Sequence, residues 1–320
     1  MTRKISFVIS FLVVLSFVVS ACTPTPAATT APTQPPAQPT NTAVPPTATP
    51  VPPTPEPAPD AQALWTDLVA SIPVEKSFAS ISATKLNEEL VEKPPFLLDV
   101  REASELEKNG YIEGAVHIPV RDVLKNLDKL PAQDQPIVVY CGSGHRGGYV
   151  LSALRLLGYE NVRNLGGGLG AWLKADLPVV TGSLPEAAES TGAPDVDQKL
   201  FKGLDAYLSA LPEGFNTISA ADLNAALVDA NAPFVLDVRE PGELETDGMI
   251  EGSVNIPVRE LFTRLSELPA DKTAPIVVLC KSGHRGAIAQ IALMMNGYTN
   301  IRNLGNGINA WLAAELPVLK

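Results

Sequence analysis

Two stretches of the chain deliver a lone cysteine from an apolar run into a short polar loop that an arginine closes. They are 138–147, VVYCGSGHRG, and 277–286, VVLCKSGHRG. A thiol at the end of a strand, facing successive backbone N–H groups and the start of a helix, has its anionic form favoured. Because the thiolate is the nucleophile, Cys141 and Cys280 are the candidate catalytic residues.

Four residues separate each cysteine from its arginine. A loop this short can turn its N–H groups inward and form a nest that stabilises a thiolate or a persulfide. The arginine adds a planar cationic fork that suits a sulfonate or sulfane-sulfur anion better than lysine does. The candidate substrate-binding residues are therefore Gly142, Ser143, Gly144, His145 and Arg146 in the first loop, and Lys281, Ser282, Gly283, His284 and Arg285 in the second.

The rest of the chain repeats with the loops, at a period of about 139 residues. The segment FLLDVRE at 96–102 returns as FVLDVRE at 234–240, and NVRNLGGG at 161–168 returns as NIRNLGNG at 300–307. A period this long indicates a duplicated domain rather than a solenoid repeat, because each copy is large enough to close its own core.

The first 21 residues read as a secretory signal, with two early cations followed by an apolar stretch that is short for a membrane span. The sequence Val19-Ser20-Ala21-Cys22 resembles a bacterial lipoprotein signal, in which Cys22 becomes the lipidated first residue. The alternative is a plain signal peptide or an uncleaved anchor with an incidental cysteine. Residues 22–59 contain 14 prolines in 38 positions and predict a disordered tether. The expected location is extracytoplasmic, anchored by lipid to the cell membrane or the outer membrane.

Composition limits the partners and the chemistry. The net charge of −11 disfavours nucleic acid and anionic lipid headgroups, so local groups must attract an anionic substrate. Cys141 and Cys280 occupy equivalent places in two domains and are interpreted as free reactive thiols rather than a disulfide. With three scattered histidines and no paired-cysteine motif, we expect neither a metal site nor a cofactor.

The predicted organisation is a first domain at 60–180, a linker at 181–194 and a second domain at 195–320. Short β-type runs at 96–100, 116–118, 137–141 and 162–165 alternate with helical stretches at 83–91 and 121–130, which predicts a parallel sheet covered by helices on both faces. Apolar residues at helical spacing follow each cysteine loop until Gly158 and Gly297. Each loop should therefore lie at the carboxyl edge of a sheet, where sites in such folds are found.

Several motifs in order resemble the rhodanese sulfurtransferase family. They are Asp-Val-Arg, then Gly-Ala/Ser-x-x-Ile-Pro, then Cys-x-Ser-Gly-x-Arg, then Gly-Tyr, Asn-Leu-x-x-Gly and Trp, and they cover both copies nearly end to end. The resemblance implies two compact α/β domains in which Cys141 and Cys280 match the sulfur carrier and Arg146 and Arg285 match the loop arginine. It also implies transfer of sulfane sulfur, through a cysteine persulfide, from a small anion such as thiosulfate or polysulfide to a thiol or protein acceptor.

Loop length and three departures qualify the resemblance. Related phosphatases place five residues between cysteine and arginine, whereas both loops here have four, which argues against phosphatase or arsenate reductase activity. Both copies keep the cysteine, although familiar two-domain members keep only the second. Tyr111 and Met249 stand where histidine is often seen, and Gly147 and Gly286 stand where a small hydroxylated or methylated residue is commoner.

Two further interpretations concern charged residues. Asp99 with Arg101, and their repeats Asp237 with Arg239, are interpreted as ion pairs that fix a loop rather than as acid and base. Lys281 replaces Gly142, so the second loop carries an extra cation, which predicts that Cys280 uses thiosulfate better than Cys141 does. A second hypothesis for the whole protein is a non-catalytic module that binds or senses sulfur, or docks a partner.

Overall fold

The computed structural model describes residues 61–72, 78–182 and 192–320. The expected signal, Cys22, the tether and most of the linker lie outside these residues. Within the described ranges, no helix combines the length and apolar character needed to cross a membrane. Both domains contain a five-stranded sheet whose pairings between named strands are all parallel, flanked by helices, as the sequence predicts.

The first domain has strand order β1-β5-β4-β2-β3. Its strands are β1 Ser80–Ile81, β2 Phe96–Asp99, β3 Val116–His117, β4 Ile137–Tyr140 and β5 Val162–Leu165. Its helices are α1 Ala61–Ser71, α2 Ala83–Glu92, α3 Ala103–Asn109, α4 His145–Leu156 and α5 Gly168–Lys174, with a 3₁₀ segment at Leu124–Lys129.

The second domain repeats this arrangement as β6-β10-β9-β7-β8. Its strands are β6 Thr217–Ile218, β7 Phe234–Asp237, β8 Val254–Asn255, β9 Ile276–Leu279 and β10 Ile301–Leu304. Its helices are α6 Gln198–Ser209, α7 Ala220–Ala226, α8 Pro241–Asp247, α9 His284–Met295 and α10 Gly307–Ala313, with 3₁₀ segments at Leu261–Thr263 and Leu265–Glu267.

The segment 121–130, expected to be helical, forms turns and a 3₁₀ segment instead of a continuous α-helix. Its buried leucines, Leu124, Leu127 and Leu130, recur every three residues. That spacing matches the three residues per turn of a 3₁₀ helix and drifts off the face of an α-helix. The leucine spacing therefore suits the 3₁₀ segment that the structure shows.

Both cysteine loops leave the central strand of a sheet. In the first domain β4 lies between β5 and β2, and all four of its residues are buried. In the second domain β9 occupies the same place. A strand covered on both faces by other elements is rigid, so the cysteine that follows it has a fixed position.

The two copies do not close their cores separately, which corrects the expectation from their size. One continuous apolar cluster contains residues of α1, α4, α6 and α9 together with residues from both sheets. A smaller cluster covers the outer face of each sheet. Helices α4 and α9 pack against each other, and a Cβ at Gly148 would lie 2.9 Å from the Cβ of Ala287. Because Gly148 and Ala287 are repeat equivalents, the two helices cross at a pseudo-twofold point.

The first helix of each domain contacts the other domain. Trp65 of α1 stacks on Phe262, with 5.2 Å between ring centroids. The guanidinium of Arg259 donates to the Val69 and Ile72 carbonyls at the end of α1, each at 2.6 Å. Arg121, the repeat equivalent of Arg259, binds the carbonyls of Leu211 and Pro212 after α6, each at 2.8 Å. Each domain thus binds the carbonyl end of the other's first helix with an equivalent arginine.

Candidate active site

The two thiols lie where the sequence predicts, directly after β4 and β9, and both are free and buried. The Cys141 Sγ accepts a hydrogen bond from the Gly144 N–H at 3.1 Å. The Cys280 Sγ accepts from the Gly283 N–H at 3.1 Å and from the Gly286 N–H at 3.4 Å. Backbone donors at the start of α4 and α9 therefore face each sulfur.

Helix α5 sets the direction of the loop's peptide groups. The carbonyls of Cys141 and Gly142 accept hydrogen bonds from the N–H groups of Leu169 at 2.7 Å and Gly170 at 3.0 Å. In a trans peptide the following N–H points the opposite way, so the N–H groups of Gly142 and Ser143 point into the loop. Helix α10 holds the carbonyls of Cys280 and Lys281 in the same way.

Close approach of this helix requires a glycine at its start. Gly168 has φ +57°, and a Cβ there would overlap the Cys141 carbonyl oxygen. Gly307 has φ +58° and the same relation to Cys280. The glycines of the repeated Asn-Leu-Gly-x-Gly motif therefore allow the nest to form.

Each loop arginine is bound by a glutamate that the sequence analysis missed. The Nη1 and Nη2 atoms of Arg146 donate to the two carboxylate oxygens of Glu105 at 2.5 and 2.7 Å. Arg285 makes the same bidentate pair with Glu243 at 2.5 and 2.6 Å. Each carboxylate also accepts a backbone N–H in the first turn of its own helix, α3 or α8. Helix and loop thus hold the guanidinium in one orientation.

The ion pair keeps the arginine and the glutamate charged, but their net charge is zero. Burial raises the pKa of Glu105, but hydrogen bonds from Arg146 and the Glu102 N–H outweigh it, so the pKa lies below its ordinary value. Burial opposes the charge of Arg146, but the Glu105 hydrogen bonds and the proximity of Cys141 leave its pKa above the ordinary value. The loop arginine is therefore not a free cation for an anionic substrate, and the inward N–H groups carry more of that task.

The extra cation of the second loop is also neutralised, which removes the basis for expecting Cys280 to be the better thiosulfate site. The Nζ of Lys281 lies 2.5 Å from the Asp247 Oδ2, at the end of α8. In the first domain the equivalent residues are Gly142 and Asn109. The copies therefore differ by a whole ion pair and not by one charge.

The loop histidines are placed in the interface between the domains. The Nε2 of His145 lies 2.9 Å from the Phe215 carbonyl oxygen, and its Nδ1 lies 2.7 Å from the Nδ2 of Asn303. The Nε2 of His284 lies 2.8 Å from the Phe78 carbonyl oxygen, and its Nδ1 lies 2.8 Å from the Nδ2 of Asn164. Both nitrogens of each ring are thus used by the opposite domain.

The asparagine assigns the histidine tautomer. The Nδ2 of Asn164 also lies 2.7 Å from the Gly144 carbonyl, which can only accept, so this atom is the amide nitrogen. The His284 Nδ1 must then accept from it, and its Nε2 carries the proton that is donated to Phe78. Burial, with the nearby arginine as a smaller cause, lowers the pKa of His284 to about 4. The pKa of His145 is also lowered to about 4, chiefly by burial.

The same asparagines explain one departure from the family pattern. A Cβ on Gly147 would overlap the Oδ1 of Asn164, and a Cβ on Gly286 would overlap that of Asn303. A hydroxylated or methylated residue does not fit after the arginine while the asparagine occupies that space.

Aromatic residues from the opposite domain complete each site. The guanidinium of Arg146 lies 4.6 Å from the centre of the Phe215 ring, and that of Arg285 lies 5.6 Å from the Phe78 ring. Phe78 and Phe215 both have positive φ, 56° and 51°, which is costly for a bulky residue. The interdomain contacts of their rings and carbonyls hold this conformation.

The Cys280 loop forms part of the wall of a cavity of about 380 Å³. It is lined by Cys280, Lys281, Ser282, His284 and Arg285 from the second loop, by Glu240 and Glu243, and by Phe78 and Ser80 of the first domain. The predicted residues of this loop are therefore brought together, and the first domain contributes part of the wall.

The remaining predictions for charged residues are confirmed. Arg101 pairs with Asp99 at 2.5 Å and Arg239 with Asp237 at 2.6 Å, and all four side chains are buried. These pairs fix the segment after β2 and β7.

In the described part of the chain, no group of three or more His, Cys, Asp and Glu side chains is placed to hold a metal ion.

The residues that sequence reasoning missed share one signal. They are identical in both copies: Glu105 and Glu243, Phe78 and Phe215, Arg121 and Arg259, and Asn164 and Asn303, of which only the last pair stands in a quoted motif. Identity between the copies at polar or strained positions outside the loops would have identified them.

Comparison with known proteins agrees with the geometry. The model of the rhodanese-like domain matches residues 82–175 and 219–314. The chain belongs to the rhodanese-like family.

Among its relatives, a sulfurtransferase of Allochromatium vinosum is 35% identical over 104 residues, which cover 32% of this chain and 94% of that protein. The 3-mercaptopyruvate sulfurtransferase of Escherichia coli K12 is 28% identical over 249 residues, 66% of this chain and 83% of that protein. The crystal structure of SseA from Escherichia coli shares 20% identity, covers 71% of this chain and 97% of that chain, and has a TM-score of 0.35. Membership of this family and these relatives support sulfurtransferase activity.

The buried histidines predict that acid weakens the protein well before its carboxylates are protonated. The unfolded chain binds protons at histidine below pH about 6.5, whereas the folded protein resists them until about pH 4. The contribution of each neutral histidine to the free energy of unfolding is therefore fully present above pH about 6.5 and is lost as the pH falls towards 4. We expect a loss of about 2 kcal/mol per histidine between pH 7 and pH 5, measured by urea denaturation.

Replacing both His145 and His284 with glutamine should flatten this pH dependence. The control is His117→Asn, which copies Asn255 of the second domain and should leave the dependence intact. Equal urea midpoints at pH 7 and pH 5 in the unaltered protein would contradict the assignment of neutral, buried histidines.

Proposed function

We propose that the protein transfers sulfane sulfur through persulfides on both Cys141 and Cys280. In the first step the thiolate attacks the outer sulfur of thiosulfate, forming the S–S bond of Cys–S–S⁻ and releasing sulfite. In the second step an acceptor thiolate attacks the outer sulfur, forming R–S–S⁻ and restoring Cys–S⁻. Both steps conserve atoms and charge and need no cofactor.

One observation carries this proposal: two free thiols at equivalent positions each accept a backbone N–H of the loop that surrounds them. The Gly144 and Gly283 N–H groups already contact sulfur at 3.1 Å. Residues 142–143 and 281–282 are partly exposed, whereas the sulfur atoms are buried. An added outer sulfur would meet the inward N–H groups of these residues, which stabilise the charge of a persulfide.

The donor we propose is a small sulfur anion, thiosulfate or polysulfide. A second candidate is 3-mercaptopyruvate, favoured by the similarity to the Escherichia coli enzyme of that name across both domains. There the thiolate would attack the mercapto sulfur, and the proton of that group would complete the methyl group of the released pyruvate. Assays with each donor distinguish the two, and a protein that binds sulfur but never releases it to a thiol would be the non-catalytic module.

The first prediction concerns sulfur counting. After treatment with thiosulfate or polysulfide, intact mass should show two added sulfur atoms in the unaltered chain. Cys141→Ser and Cys280→Ser should each remove one of them, and the double variant should neither bind nor transfer sulfur. A double variant with undiminished transfer from thiosulfate to a thiol would disprove the cysteine mechanism.

The second prediction concerns the ion pair that distinguishes the copies. In a Cys141→Ser background, Asp247→Asn should free Lys281 and raise kcat/KM for thiosulfate roughly two- to fivefold, the effect of one partly exposed charge. The substitution copies Asn109, so the fold accommodates it in the first domain.

A matched control is Asp247→Asn combined with Lys281→Gly, which installs the first domain's pair and should return kcat/KM to its starting value. If Asp247→Asn alone leaves thiosulfate turnover unchanged, Lys281 does not act on the donor.

We also propose that the protein is anchored outside the cytoplasm by lipid on Cys22. The support is the sequence Val19-Ser20-Ala21-Cys22 after an apolar stretch, followed by the proline-rich tether. The mature chain should begin at Cys22 and partition into detergent, and Cys22→Ala should move it to the aqueous phase. An unmodified mature N-terminus on a protein that stays in the aqueous phase would refute the anchor.

A further inference from the structure

One side-chain amide forms hydrogen bonds to both cysteine loops, and its repeat equivalent in the other domain does the same. The Nδ2 of Asn164 donates one hydrogen to the Gly144 carbonyl of its own loop and the other to the His284 ring of the opposite loop, at 2.7 and 2.8 Å. The Nδ2 of Asn303 donates to the Gly283 carbonyl and to the His145 ring, both at 2.7 Å. Each NH₂ group has two hydrogens and donates one of them to each of the two loops.

The bridged residues are next to the chemistry. Gly144 is the residue whose N–H contacts the Cys141 sulfur, and Gly283 does the same for Cys280. His145 and His284 are the following residues. The asparagine binds the carbonyl of the same glycine whose N–H contacts sulfur, so a displacement of either glycine acts on an amide that also holds the other loop.

The two asparagine side chains that bridge the loops have no free space into which they could move. Asn164 and Asn303 are fully buried, and their Oδ1 atoms have no hydrogen-bond partner. Those oxygens face Gly147 and Gly286 so closely that no side chain fits there. An amide that follows one loop must lengthen its bond to the other, since close-packed surroundings resist continuous deformation.

We propose that Asn164 and Asn303 are positioning residues shared by the two cysteine sites, and that they couple sulfur loading at Cys141 to sulfur loading at Cys280. The inference rests on the proposed function, because both cysteines must carry sulfur. An added sulfur atom enters the loop whose N–H contacts come from Gly144 or Gly283 and shifts that glycine. Through the shared amide, the shift changes the free energy of loading the opposite site.

The test measures occupancy at equilibrium in mixtures of thiosulfate and sulfite, whose ratio sets the degree of loading. Intact mass gives the fractions of protein with zero, one and two added sulfur atoms. The variants Cys141→Ser and Cys280→Ser give the occupancy of each site alone. For independent sites, the doubly loaded fraction of the unaltered chain equals the product of the two single occupancies.

We expect a coupling factor of about five in either direction, in the range of measured couplings between sites, which near half-loading takes that fraction from a product of about 0.25 to about 0.6 or about 0.06. Asn164→Ser and Asn303→Ser should bring it back to the product, because a hydroxyl has one hydrogen and can serve only one loop. The matched control is Asn161→Ala, an asparagine beside β5 whose Nδ2 donates to the Asp134 carbonyl of its own domain, and it should preserve the coupling.

The outcomes separate this inference from the function on which it rests. If neither cysteine takes sulfur, the proposed function fails and the coupling fails with it. If both load but the doubly loaded fraction equals the product, the function stands and the coupling is refuted, a result that needs no asparagine variant. A departure that persists in folded Asn164→Ser and Asn303→Ser proteins would refute the bridges as its cause.

Discussion

Burial of two helices against each other is the constraint on which the rest of the structure depends. Helices α4 and α9 cross closely at Gly148 and Ala287, which places their N-terminal loops side by side in the interior. Polar groups buried there need hydrogen-bond partners. The opposite domain supplies those partners, with an asparagine and a backbone carbonyl for each histidine. The active loops are therefore shaped from both sides of the interface.

The charged side chains of each site are paired, so the net charge of each site is small. Each loop arginine is held by a glutamate on the preceding helix, and Lys281 is held by Asp247. A buried guanidinium without such a partner would be costly, so the pairing is what permits an arginine beside the thiol. The attraction for an anionic sulfur donor is left to oriented N–H groups, which carry no net charge.

Duplication within one chain has produced an arrangement that resembles a symmetric dimer. Arg121 and Arg259 bind the ends of each other's first helices, and Phe78 and Phe215 contact each other's loop arginines. A contact repeated by symmetry needs the same residue in both copies. The copies differ where no reciprocal contact requires identity, as at Lys281 and Gly142, and those positions are where the two sites can acquire different preferences.

The sequence alone determined the family, the parallel sheets and the position of the two cysteine loops. These follow from local patterns, namely an apolar strand, a cysteine and a glycine-containing loop before a helix, written twice in register. It also determined the Asp99–Arg101 type of pair, whose members are two residues apart. Only the tertiary structure decided that Glu105 neutralises Arg146, that Asp247 neutralises Lys281 and that the histidines belong to the interface. These partners lie 34 to 206 residues apart in the chain, so no local spacing connects them, and their effect depends on distances that packing of the two domains sets.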